Sequence, residues 1–293
     1  MTLAEKVRIV LKKIMKNPSF IKEVYCYLKN DCYALLGRYK YRYPIIFIAG
    51  LPKSGTTWVQ TELARVPGYN MRPTNDPDRC TENHDVCKTV FCSLPLNRYS
   101  VLKLHTRYTP TNYNTIIESV PRFVVMIRDL RDMCISRYFH VKNEHTHRHS
   151  LLYNQMSEED GIMHCIGILE EEYVPWVKNW AEVIRKKEFP ILFVQYERLN
   201  QNPVQVFRDI FSFFELPISK DVEKKVQSSK IRKGHDLGSE LSKNQLAFSN
   251  ISTKRKGIIG DWKNHLTHLH KKKFKEIAGD LLIELGYEKN HEW

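Results

Sequence analysis

The chain has 293 residues, 42% of them hydrophobic and 27% charged, with 12 Gly and 13 Pro, enough to bury its own core and unlike a collagen-like, extensively disordered or disulfide-stapled protein. Lys and Arg number 46 against 33 Asp and Glu, a formal charge of +13, so an anionic partner is expected: a phosphorylated cofactor, nucleic acid or an acidic membrane surface. The seven cysteines contain no CxxC pair and leave one over in any complete pairing, which favours reduced thiols in a reducing compartment.

At the start, Leu3, Val7, Val10, Leu11 and Ile14 recur at helical spacing among Lys6, Arg8, Lys12, Lys13 and Lys16. This predicts a basic amphipathic helix that packs on the domain or lies on a membrane surface. The segment lacks the apolar core and cleavage site of a secretory signal, and no stretch of the chain reaches the roughly 20 apolar residues of a membrane span, so a soluble cytoplasmic protein is expected. Asn17 and Pro18 end the helix, and a second runs from Phe20 to Leu36. Gly37 leads into basic RYKYRYP, expected at the surface, so that residues 1–43 form a helical segment within the domain.

IIFIAG then reads as a strand covered on both faces, and TWVQTELARV as the helix after it. Further strands are predicted at 100–105, 122–128 and 190–196, with helices from LRDMCISRYFHVKN, EYVPWVKNWAEVIRKK and VQVFRDIFSFF between and after them. This alternation predicts one α/β domain over 1–293, with a central parallel sheet flanked by helices. Residues 67–98, rich in Pro, Asn and Asp, read as a long substrate-side connection. Residues 233–258 read as a flexible flap, and the segment from Lys271 as a terminal helix stopped at Gly286.

The stretch IIFIAGLPKSGTTW, residues 45–58, carries the strongest local signal: strand, compact glycine loop, helix start. Free N–H groups at such a helix start cradle an anion, and Lys53 adds a mobile positive charge. Gly50 and Gly55 enclose four residues as in a Walker loop, but Thr56 stands where the Walker lysine belongs, which argues against an ordinary ATPase or GTPase. A purely structural strand-to-helix turn is the bland alternative.

PKSGTTW, then FVVMIRDLRDMCISRYFH at 123–140 and RKGIIGDWKNHLT at 255–267, resemble in order and separation the cytosolic sulfotransferases, over about residues 40–270. The resemblance implies one α/β domain with a P-loop-like phosphosulfate-binding loop. It implies 3'-phosphoadenosine 5'-phosphosulfate (PAPS) as donor, adenosine 3',5'-bisphosphate (PAP) as product, and no metal. Sulfuryl transfer would be direct and in line, to a hydroxyl, or alternatively an amine, of a small metabolite or natural product. By the same resemblance Lys53, Ser54, Gly55, Thr56 and Thr57 hold the 5'-phosphosulfate, with Trp58 near the adenine or the acceptor. Arg128 and Ser136 hold the 3'-phosphate, with Arg255, Lys256 and Gly257 clamping it. Tyr196, Ser229 and Ile231 lie beside the base; Ser229 stands where threonine is usual and Ile231 where phenylalanine is. His105, two residues after Lys103 at a strand end, is the implied general base, with Lys53 and Lys103 stabilising the leaving phosphate.

Two features depart from the family pattern. His268 and Lys272 stand where a common dimerisation motif has valine and glutamate, so a monomer or a different dimer is expected. No acceptor segment is matched. The other readings of the residues are a nucleotide-dependent kinase, disfavoured by the missing Walker lysine, and a nucleic-acid-binding protein, disfavoured because no binding motif accompanies the charge. A zinc site from Cys80, Cys87 and Cys92, or from His145, His147 and His149, lacks regular ligand spacing.

Overall fold

A computed structural model describes residues 18–72, 74, 76–77, 79–217, 226 and 257–293, with side chains from residue 25 onward. The predicted helix over residues 3–16 and nearly all of the 233–258 flap lie outside these residues, as do Ser229, Ile231, Arg255 and Lys256. The first described helix, α1, is Pro18–Leu35.

The four predicted strands form: β1 Ile45–Gly50, β3 Tyr99–Leu104, β4 Phe123–Ile127 and β5 Ile191–Gln195. A fifth, β2 at Tyr69–Met71, lies inside the stretch read as a connection. All pairs are parallel, in the order β2-β3-β1-β4-β5. β2 has three residues, too few for a period to declare itself; pairing Tyr69 with Tyr99 and Met71 with Val101 makes it a strand.

Alternation along β1 sorts the core into two layers. Ile46 and Ile48 join Val59, Leu63, Phe207 and Phe211 on one face, while Phe47 and Ala49 join Met133, Ile166, Trp180 and Phe274 on the other. The first layer is covered by α2, Thr56–Leu63, and by Pro203–Phe213. After the short α3, Lys88–Cys92, and α4, Pro110–Ser119, the second is covered by α5, Leu130–Asn143, by Glu158–Ile168 and Val174–Lys186, and by His268–Glu284. Covering both faces explains why the strands are nearly continuous apolar runs. Among the described residues no helix is long and apolar enough to cross a membrane.

RYKYRYP is only half a surface segment. Arg38, Lys40 and Arg42 are exposed, but Tyr43 is buried and Tyr41 packs against Tyr69 and Tyr99. Extended backbone sends alternate residues to opposite sides, so the same peptide is basic outward and aromatic inward.

The cysteines also depart from expectation, because Cys80 and Cys87 are joined in a disulfide while Cys26, Cys32, Cys92, Cys134 and Cys165 are free. A 3-10 turn at Cys80–Asn83, entered and left by left-handed Arg79 and His84, folds the loop back so that these two α-carbons lie 6.4 Å apart. Spacing in sequence does not reveal such a reversal.

One buried cation ties the C-terminus to α5. Arg131 pairs with Asp129 at 2.7 Å and Glu288 at 2.5 Å, and its guanidinium lies over Trp262 at 4.0 Å and Trp293 at 4.3 Å. With both carboxylates and two aromatic faces in contact, its charge is matched where it is desolvated. Thr267 caps the terminal helix in a reciprocal box with His270, so the segment with His268 and Lys272 is a helix start.

Candidate active site

The carboxyl ends of β1, β3 and β4 converge where the strand order reverses, the place where open parallel sheets bind ligands. β1 ends at Gly50, where a Cβ would fall 2.0 Å from Thr56 Cγ2, so only glycine lets α2 start this close to the strand. Between them Lys53 is left-handed at φ 67 and Gly55 at φ 82. Ser54, fully buried, donates its hydroxyl to the Leu51 carbonyl at 2.6 Å and ties the turn. The first N–H groups of α2 have no partner within the helix, which gives the loop its anion-binding character.

β4 delivers Arg128, which is buried. It donates to the Lys53 carbonyl at 3.1 Å and the Ile258 carbonyl at 3.4 Å, and lies over the Tyr196 ring at 4.4 Å. Tyr196 opens the helix after β5 and packs on Gly55, where a Cβ would come within 2.9 Å of its ring. Asn200 donates to the Tyr196 hydroxyl and to the Gly257 carbonyl. Thus Gly55, Arg128, Tyr196 and Gly257, distant in sequence, share one wall. Ser136 is buried on α5, one turn after Asp132, whose carboxylate stands 4.0 Å from Arg128.

β3 delivers Lys103 and His105. Lys103 donates to the Thr57 hydroxyl at 3.4 Å, and His105 Nδ1 lies 2.9 Å from the Gly50 carbonyl oxygen. A carbonyl only accepts, so Nδ1 carries the proton and Nε2 keeps its lone pair. Burial, then the charge of Lys103, pushes the His105 pKa down to about 3, against the pull of the Gly50 bond, so the imidazole is neutral at physiological pH. Burial and Arg128 likewise push Lys53 down to about 8, with Glu144 opposing. These depressions mark a cation-rich chamber; an anion entering it would relieve them.

The residues present fit an anionic adenine nucleotide. Arg128 Nε and Trp58 Nε1 are buried donors without a hydrogen-bond partner, one beside the loop and one on α2, and Tyr196 offers a ring face. Trp58 packs on Phe207 at 6.2 Å.

Three residues were not singled out from the sequence. Asp132 accepts from the backbone N–H of Gly260 at 2.7 Å and Trp262 at 3.0 Å, so it fixes the turn inside the third motif. Its signal was available, since RDLRD places it one turn beyond Arg128. Glu197 accepts from the Asp129 N–H and the Tyr287 hydroxyl, and burial raises its pKa to about 7. His84 packs at a tilt against Trp176 at 5.1 Å, and its ring reaches the backbone of His105. Nothing near it in sequence points there.

A phosphate-type loop, two lysines and a neutral imidazole at the carboxyl edge of a parallel sheet suit group transfer from an anionic donor. The sulfotransferase domain family matches residues 44–286, and the chain belongs to that family. Sulfotransferase 1B1 of Canis lupus familiaris is 27% identical over 267 residues, covering 81% of this chain and 84% of that protein. Cytosolic sulfotransferase 11 of Arabidopsis thaliana is 26% identical over 289 residues, covering 89% and 80%. In fold, the chain is similar to mouse sulfotransferase SULT7A1 complexed with PAP, at a TM-score of 0.62 and 17% identity over 87% of this chain and 89% of that one. It is also similar to retinol dehydratase in complex with androsterone and PAP, at 0.57 and 17% over 82% and 80%. The chain is a sulfotransferase, and its reaction is sulfuryl transfer.

Proposed function

We propose that the chain transfers the sulfuryl group of PAPS to a hydroxyl of a small-molecule acceptor in the cytoplasm, with His105 as general base. When bound, PAPS supplies a sulfuryl group activated by its anhydride link to phosphate. The observation that carries the reading is the His105 Nδ1 bond to Gly50, which leaves Nε2 as a fixed proton acceptor beside Lys53 and Lys103. An alcohol is a weak nucleophile while it keeps its proton, and Nε2 takes that proton as the oxygen attacks. Lys103 and Lys53 are two of the charges that depress His105; anionic phosphates against them offset those charges and raise its basicity when it is needed. Lys53 and the first N–H groups of α2 neutralise charge developing on the leaving phosphate. Arg128 and Ser136 receive the 3'-phosphate, the arginine with Nε free to donate, and Tyr196 and Trp58 flank the base.

Calorimetry with PAP and AMP tests the donor assignment. PAP should bind more tightly, and Arg128→Ala should remove most of the difference; equal affinities would overturn it. Incubating the enzyme with PAPS and a hydroxylated metabolite pool should yield products heavier by one SO₃, read by mass spectrometry. Phosphate addition from a nucleotide would favour the kinase alternative instead.

A further inference from the structure

Arg137 has no role in the donor site described above. It follows Ser136 on α5, so the two side chains leave the helix about 100° apart. Only 9% of Arg137 is exposed, and its Nη1 is buried without a hydrogen-bond partner. The acidic residues at the start of the helix are engaged elsewhere, Asp129 with Arg131 and Asp132 with the Gly260 turn and Arg128. Among the described residues no carboxylate forms an ion pair with Arg137. A guanidinium cannot shed its proton, so this buried charge calls for a counter-charge.

The groups that face it are phenols, thiols and imidazoles. Its guanidinium carbon is 6.0 Å from the centre of the Tyr173 ring; the side chain bonds the Tyr173 hydroxyl and the Cys165 thiol, with Tyr153 also in electrostatic reach, and Nη1 is left over. His84, His140, His147 and His149 lie within reach of its charge, and burial holds all four below the ordinary imidazole range. Two of these neighbours are shared with the transfer site. The ring of His84 reaches the backbone of His105, and His140 feels both Lys53 and Arg137. The Tyr173 ring that Arg137 faces lies 6.3 Å from the ring of His84, which belongs to the 67–98 stretch, so Arg137 sits beside the acceptor-side loop.

We propose that Arg137 determines acceptor specificity: it receives an anionic group on the hydroxylated acceptor, a carboxylate, sulfate ester or phosphate ester, with His84 and His140 flanking that group. This rests on the sulfotransferase reading of the same chamber. A neutral acceptor leaves Nη1 unsatisfied, whereas an anion supplies both the missing hydrogen bond and the missing charge. The preferred substrates are then small hydroxy acids or already esterified phenols and alcohols rather than neutral sterols or simple phenols.

The test uses the full-length protein loaded with PAP. It is titrated calorimetrically with aryl and alkyl hydroxycarboxylates and their methyl esters, with hydroquinone monosulfate and monophosphate as further arms. Wild type should bind the anion at least about 10-fold more tightly than the neutral partner in at least one pair, and the best arm names the anion. Arg137→Gln should abolish the preference and Arg137→Lys should restore part of it, while PAP binds all three proteins alike. No preference in any pair by PAP-loaded wild type would overturn the proposal. So would a preference that survives in Arg137→Gln, including the case in which that variant only lowers Tm because Arg137 serves Cys165 and Tyr173 structurally. Failure of wild type to bind PAP would instead overturn the donor reading beneath it, a separate result in the same instrument.

Discussion

His105, at the end of β3, donates its Nδ1 proton to the carbonyl oxygen of Gly50, at the end of β1, across 2.9 Å. The strand-end glycine that makes room for the loop after β1 therefore also fixes the tautomer of the proposed base. His105→Ala removes Nε2 without adding charge or bulk. Single-turnover transfer to an alcohol with both substrates saturating should fall by on the order of 10² or more, while PAP affinity stays unchanged. Near-normal transfer by a well-folded variant would exclude His105 as the base.

Lys53, pushed down to about 8, gives donor binding a pH signature. Above that pH the free enzyme holds Lys53 largely neutral, whereas the bound anion favours its charged form. Binding must then take up a proton, and PAP affinity should decline as pH rises through about 8 and beyond. Calorimetry near pH 9 in two buffers of different ionisation enthalpy should show the uptake in wild type and less in Lys53→Arg, whose charge persists. Equal uptake in both proteins would assign the proton to another group.

Asp132 couples α5 to the turn at Gly260 through two backbone N–H groups, at 2.7 and 3.0 Å. Asp132→Ala leaves a buried donor at Trp262 and a half-buried one at Gly260 without their acceptor, a loss of about 1–3 kcal/mol by the usual cost of such groups. Thermal unfolding should show the lower Tm. Because the turn continues from Gly257, which borders Arg128 and Tyr196, PAP should also bind more weakly than AMP binding alone predicts. A lowered Tm with an unchanged PAP to AMP ratio would restrict Asp132 to a structural role.

Glu197 is a carboxyl that burial raises to about 7, from 4.5. Between these values the folded protein binds a proton that the unfolded chain does not, so this group's contribution to stability falls as pH rises through the window. The difference is at most on the order of 3 kcal/mol. Glu197→Gln stays neutral and should be relatively more stable at pH 8 than at pH 5 when compared with wild type. Parallel pH dependences of Tm for the two proteins would count against the raised value.

Much of the candidate site was legible in the sequence because it is built from contiguous chemistry. Four apolar runs announced their strands, and LRDMCISRYFHVKN coincides with α5 at Leu130–Asn143. Gly50 to Thr57, Lys103 with His105, and Arg128 with Ser136 each occupy a short stretch, so motif order and spacing could carry the resemblance to the cytosolic sulfotransferases without coordinates. Where the signal was local, it reached the structure intact.

What depends on distant contacts appeared only with the tertiary structure. β2 is a strand because Tyr99–Val101 lies beside it, and Cys80 meets Cys87 because left-handed residues reverse the loop between them. The alternation in RYKYRYP has meaning only once Tyr69 and Tyr99 supply an aromatic face for its tyrosines. Most consequential is Arg137. In sequence it is one basic residue on a helix, and charge composition places such residues at the surface. Packing of α5 against Tyr173 and Cys165 buries it instead beside His84 and His140. Residue type at short range was enough for the strands and the glycine loop, and three short motifs carried the family resemblance that implied the kind of reaction. Burial, tautomer and the charge seen by an acceptor were decided by the fold, because desolvation and pairing are properties of neighbours that sequence order does not list.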